Sequence, residues 1–155
     1  MPSDHNPNRL YRFCKYIIGK DSSIRFAGIA NQMGNLIEAV YREGLQPLMN
    51  RQETEHYTIQ TVLRASTRGT FENKIGKQQY AIAVYEKLIR ATVPIIITGH
   101  HDNKDEKQNK QQKEQQDFKG FYLLVSFDLG SDVISIIENK ILPQVEQFVK
   151  DSLVV

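Results

Sequence analysis

Apolar residues return at helical spacing in "NRLYRFCKYIIGK", where Leu10, Phe13, Cys14, Ile17 and Ile18 share one face and Gly19 ends the pattern. This predicts a short amphipathic helix. The period then drops to two. Ile24, Phe26, Gly28 and Ala30 alternate with Arg25, Ala27 and Ile29, and after "NQMGN" Leu36, Glu38 and Val40 alternate with Ile37, Ala39 and Tyr41. With turn chemistry from Asn31, Gly34 and Asn35, residues 23–44 predict a β-hairpin. Gly28 permits a bulge there, or the close approach of something packed across it.

Pro47 breaks the pattern, and Asn50 with Glu53 three residues on forms a variant of the capping box that opens a long helix, residues 51–74. Its apolar positions Ile59, Val62, Leu63 and Phe71 are sparse and are interrupted by small residues: Ala65, Ser66, Gly69 and Thr70. Such a stripe lets a helix come close to another surface. The plainer alternative is that Gly69 only weakens the helix, by about 1 kcal/mol relative to Ala. Gly76 is the stop signal.

"QQYAIAVYEKLIRATVPIIITG" predicts two strands, 79–86 and 88–98, turning near Glu86 and Lys87. "FYLLVSFDLG" is near-continuously apolar and predicts a strand at the centre of the sheet. The chain closes on a helix capped by Ser131, with Ile134, Ile137, Ile141, Val145 and Phe148 on one face, kinked or restarted at Pro143. Residues 99–120, "GHHDNKDEKQNKQQKEQQDFKG", carry no aliphatic side chain that could join a core. They form a polar insertion, either a loop or a solvated helix from Lys104 to Asp117.

At 155 residues the chain fits one domain, 8–152, large enough for a sizeable core. A net charge of +2, with its Lys and Arg scattered, argues against nucleic acid or an anionic membrane as partner. The single cysteine, Cys14, excludes an intramolecular disulfide and falls in an apolar pattern, as a buried thiol in a reducing interior would. The first twelve residues have no apolar core of a signal peptide, and no apolar run reaches the length of a span. The expectation is a cytoplasmic protein.

No chemical motif in the sequence is complete. "GTFENKIGKQ" separates its glycines by six residues instead of four and has Gln78 where a phosphate loop needs Ser or Thr. His100 and His101, with Asp102, are adjacent, so on an extended chain their imidazoles point to opposite sides. His56 reads as a surface residue, and Ser126 as a strand residue outside any G-x-S-x-G elbow. Arg9, Tyr11, Arg12, Phe13, Lys15 and Tyr16 read as a solvated face over an apolar stripe. No catalytic residue, metal ligand or cofactor is assigned, and nothing recommends an enzyme.

The order helix, hairpin, long helix, three strands, helix gives an α+β fold, and it resembles the roadblock/dynein-light-chain family among the profilin-like sandwiches. "IRFAGIANQMGNLIEAVYREG", "IGKQQYAIAVYEKLIRATVPI" and "LLVSFD" also resemble a family of small archaeal proteins without an established activity, over about residues 10–142 apart from the insertion. The resemblance implies a five-stranded antiparallel sheet with the long helix on one face and the terminal helices on the other. It implies a homodimeric scaffold, joined through the long helix and the neighbouring edge strand, that serves small GTPases or signalling assemblies. The expected dimer interface is Val62, Ala65, Ser66, Gly69, Tyr80, Ile82 and Val84, with Arg25 and Arg42 solvated and partner-facing. The alternative is a PAS- or GAF-like small-molecule sensor, which needs a cavity between sheet and helices; Phe26, Tyr41, Tyr85 and Phe121 read as filling such a space instead.

Overall fold

The structure, a computed structural model, describes residues 7–97 and 119–153. The insertion up to residue 118, with His100, His101 and Asp102, lies outside the described residues. The elements are α1 (Pro7–Ile18), β1 (Ile24–Ala30), β2 (Leu36–Tyr41), α2 (Arg51–Arg68), α3 (Glu72–Ile75), β3 (Ala81–Val84), β4 (Ile89–Ile97), β5 (Lys119–Phe127), α4 (Val133–Ile136) and α5 (Leu142–Leu153).

The five strands form one sheet in the order β2-β1-β5-β4-β3, with every neighbour antiparallel. The apolar strand β5 is central, as its composition predicts. Edge strand β3 is shorter than expected because it pairs only with Ile89–Thr92. Two residues beyond Thr92 stands Pro94, which has no amide hydrogen to offer a further partner. The turn at Glu86 and Lys87 forms without Gly or Asn, closed by the Tyr85 amide donating to the Leu88 carbonyl at 2.9 Å.

Cross-strand register sorts the side chains between two faces. Ala27, Val125 and Ala91 are mutual neighbours on one face, followed by Ile29, Leu123 and Val93. Leu10, Phe13, Cys14 and Ile17 of α1 and Ile141, Val145 and Phe148 of the C-terminal helix pack onto them to form the main core. The opposite face carries Phe26, Ser126 and Arg90, then Gly28, Leu124 and Thr92. Only a small cluster forms there, Phe26, Ala30 and Leu124 under Val62 of α2.

Both ends of α2 show sequence chemistry at work. The Asn50 side chain accepts from the Glu53 amide at 2.9 Å while Glu53 accepts from the Asn50 amide at 3.0 Å, completing the capping box. The helix stops six residues short of the expected end: at Gly69 it tightens into a 3₁₀ turn, Gly69–Phe71, before the single turn of α3. Gly76, at φ +88°, ends the run.

In the C-terminal helix, α4 and α5 are joined by one π turn, Ile137–Ile141. The wider turn accommodates the ring of Pro143, which would clash with the carbonyl four residues back in a regular helix. Asp132 replaces Ser131 as the cap, accepting from the Ser135 amide, and Ser131 donates to the Asp128 carbonyl instead. Ile134 is exposed, and Val133 and Ile136 take the inward positions.

Candidate functional site

Helix α2 turns its small and hydroxyl-bearing side toward the sheet. Thr54, Thr58, Thr61 and Val62 are buried. Each of these threonines satisfies its hydroxyl within the helix, donating to the carbonyls of Asn50, Thr54 and Tyr57 at 2.9, 2.7 and 2.9 Å. With the hydroxyls engaged, their methyl groups serve as packing surface. Ala65 and Gly69 continue the stripe and line a cavity of about 150 Å³ with Pro94, Ile96 and Tyr122 of the sheet. The surface that the small residues approach is therefore the chain's own sheet. This cavity is below the ~300 Å³ at which small-molecule pockets usually begin.

The larger apolar side chains of the same segment face solvent. Leu63 is 62% exposed, and Ile59, Phe71 and Ile75 are exposed as well. This inverts the usual amphipathic arrangement, in which the bulky apolar residues are the ones hidden.

The seven expected interface residues therefore do not share one surface. Val62 is 3% exposed and spent on the layer beneath α2, Ala65 and Gly69 lie beside it, and only Ser66 on the helix is exposed. Ile82 of β3 and Tyr80 just before the strand pack toward the main core on the other face of the sheet, where the Tyr80 hydroxyl donates to Glu138 at 2.8 Å. Val84 shares that face by strand alternation and is exposed. A helical period and a strand period selected from the sequence need not converge, and here the sheet stands between them.

Arg25 and Arg42 were expected to be free and solvated, but both converge on Asp128. Arg25 Nη1 reaches Oδ1 at 3.0 Å and Arg42 Nη1 reaches Oδ2 at 2.7 Å, with the Arg25 side chain 16% exposed. The Arg42 hydrogen bonds, backed by those of Arg25, hold the Asp128 carboxyl below the usual carboxylate range.

A cluster that the sequence reading missed lies where α2 meets β3 and β4. The Arg90 guanidinium stands 4.2 Å from the centre of the Tyr57 ring, Arg64 lies 5.6 Å from the same ring, and the Tyr57 and Tyr85 hydroxyls are 2.9 Å apart. Burial pushes the Tyr57 phenol up and the Arg90 guanidinium down from their ordinary values. The signal was present in "LIRATV": Arg90 interrupts Leu88, Ile89, Ala91 and Val93, so period two assigns it to the thinly packed face.

Among the described residues no three His, Cys, Asp or Glu side chains gather as a metal site, and no helix is long and apolar enough to cross a membrane. No protein-family model matches the chain, and no curated protein is similar to it in sequence.

Solved structures do match over nearly the whole chain. Myxococcus xanthus MglB is 13% identical with a TM-score of 0.63, covering 97% of this chain and 94% of that one. The roadblock/LC7 domain from Streptomyces avermitilis is 8% identical with a TM-score of 0.57, covering 92% of each. The fold is roadblock-like. An MglB structure with a tetrameric arrangement matches as well, at 10% identity and a TM-score of 0.56, covering 99% of this chain and 88% of that chain.

Proposed function

We propose that residues 8–152 form one domain that acts as a non-enzymatic interaction or regulatory module. It works in the cytoplasm as a homodimeric scaffold, with a small GTPase or signalling protein as the class of partner. The observation that carries this reading is the inverted α2: buried threonines on one side, exposed Ile59 and Leu63 on the other. A helix that hides its hydroxyls and shows its leucine is built to be covered from outside. β3 lies at one edge of the sheet, and among the described residues no strand pairs with its outer side; such an edge is a template for a further strand. The roadblock-like fold, and the tetrameric arrangement of one MglB, support assembly as the mode of action.

The test is Leu63→Asp. Because Leu63 already faces solvent, the variant should keep the stability of the parent in a chemical melt yet lose the dimer in light scattering. A parent that is monomeric at high concentration, or a Leu63→Asp variant that still pairs, would remove this surface from the proposal.

A further inference from the structure

A half-open cleft of about 30 Å³ lies over the sheet at the start of α2, roofed by Leu45, Pro47, Leu48 and Met49. Its floor is set by register: Phe26, Ser126 and Arg90 are direct cross-strand neighbours on β1, β5 and β4. Arg25 joins them because the β1–β5 register shifts between Ile24 and Phe26.

Two polar groups on this floor have no protein partner of their own kind. Ser126 is 3% exposed, and its hydroxyl makes no hydrogen bond among the described residues. Arg90 is half-buried with its guanidinium over the face of Tyr57, and among the described residues no carboxylate or carbonyl is hydrogen-bonded to its fork. No acidic side chain lines the cleft. The carboxylate that the neighbouring Arg25 meets, Asp128, is already shared between Arg25 and Arg42. Arg90 thus stands in the cleft without a carboxylate of its own, beside the Ser126 hydroxyl of the neighbouring strand.

The geometry points to a binding site for an organic monocarboxylate, its carboxylate held by the Arg90 fork and the Ser126 hydroxyl and its apolar body lying along Pro47 and Leu48. A planar two-oxygen anion matches a guanidinium in bidentate fashion, and such charge-assisted pairs are the strong ones. The cleft admits only the head of the ligand. The body must therefore emerge across the roof, where Leu48 is exposed. Leaving a guanidinium partly desolvated and unpaired is unfavourable in the free protein, and an anion of this shape relieves it.

The experiment is a titration of the ¹⁵N-labelled chain with sodium benzoate, sodium acetate and sodium sulfate at constant ionic strength, following the Arg90 Nε–Hε resonance. Benzoate should give a saturable shift and bind about tenfold tighter than acetate, because only benzoate adds apolar burial on the roof. Arg90→Met should weaken benzoate binding by about tenfold or more, and Ser126→Ala should weaken it less, as expected for a charged and a neutral hydrogen bond. Since Arg90→Met could perturb folding, the wild-type resonance and Ser126→Ala are read independently of it. No saturable shift with benzoate, equal affinity for benzoate and acetate, or sulfate binding as tightly as benzoate would each overturn the assignment.

Discussion

Ile59 of α2 rests directly on Gly34 of the β1–β2 turn: a Cβ built at Gly34 would stand 2.9 Å from the Ile59 Cα. Gly34 is also at φ +86°, a region that side chains avoid. The turn therefore fixes both the hairpin and the seat of the helix. Gly34→Ala should cost about 2–4 kcal/mol, combining left-handed strain with overpacking against a backbone that cannot yield. A urea melt measures this, and a loss below about 1 kcal/mol would mean that α2 shifts freely on the hairpin.

Asp128→Asn removes the negative charge and one of the two acceptor oxygens shared by Arg25 and Arg42 and should destabilise the fold by about 1–2 kcal/mol, the carboxyl being partly exposed. The pH dependence follows from the sign of the shift. A carboxyl lowered in the folded state stabilises fully above its unfolded value, near pH 4, and loses that contribution as pH falls through the folded value. Asp21, bound by Lys140 and Ser23 and lowered to about 2, behaves in the same way. Stability of the parent should fall between about pH 4 and pH 2. That slope should be shallower in Asp128→Asn, as melts across this range would show.

Thr58 is 1% exposed, and its hydroxyl is bonded inside the helix, so its partner carbonyl does not depend on it. Thr58→Val keeps the shape and should change stability by less than about 1 kcal/mol, whereas Thr58→Ala opens a void and should cost about 1–2 kcal/mol. Equal losses in denaturant melts of the two variants would show that the hydroxyl, not the methyl, holds the layer.

Cys14 is fully buried between α1 and the sheet, and burial with the nearby Glu38 charge pushes its thiol up to about 12. Iodoacetamide at pH 8 should leave it untouched in the folded chain and label it in urea, followed by mass spectrometry. Rapid labelling without denaturant would show that α1 opens on its own.

Much of the fold was legible because its elements announce themselves locally. The α1 stripe, the Asn50–Glu53 box, the Gly76 stop and the apolar β5 each need only a few neighbouring residues to be read. What failed depended on distance. The partners of Arg25 and Arg42 lie 103 and 86 residues away at Asp128, so nothing near either arginine marks it as engaged. The sequence suggests that Gly28 leaves room for a crossing chain, but the nearest group to a Cβ there, at 2.6 Å, is the ring of Phe26 on the same strand, with the Glu38 carbonyl of β2 at 3.2 Å. The bulge anticipated at Gly28 falls one step later, between Ile29 and Ala30. The inward face of α2 was obscured for a different reason: threonine is polar by composition but apolar by surface once its hydroxyl is bonded to the preceding turn.

The thin layer under α2 also sets how this protein opens. A small apolar cluster, Phe26, Ala30 and Leu124 under Val62, with the buried threonines holds that helix from below, whereas the opposite face is sealed by the whole main core. Amide hydrogens of α2 should therefore exchange with solvent through a partial opening that leaves α1 and the central strands protected. A cover laid over Leu63 would close that opening, so exchange from α2 should slow as protein concentration rises.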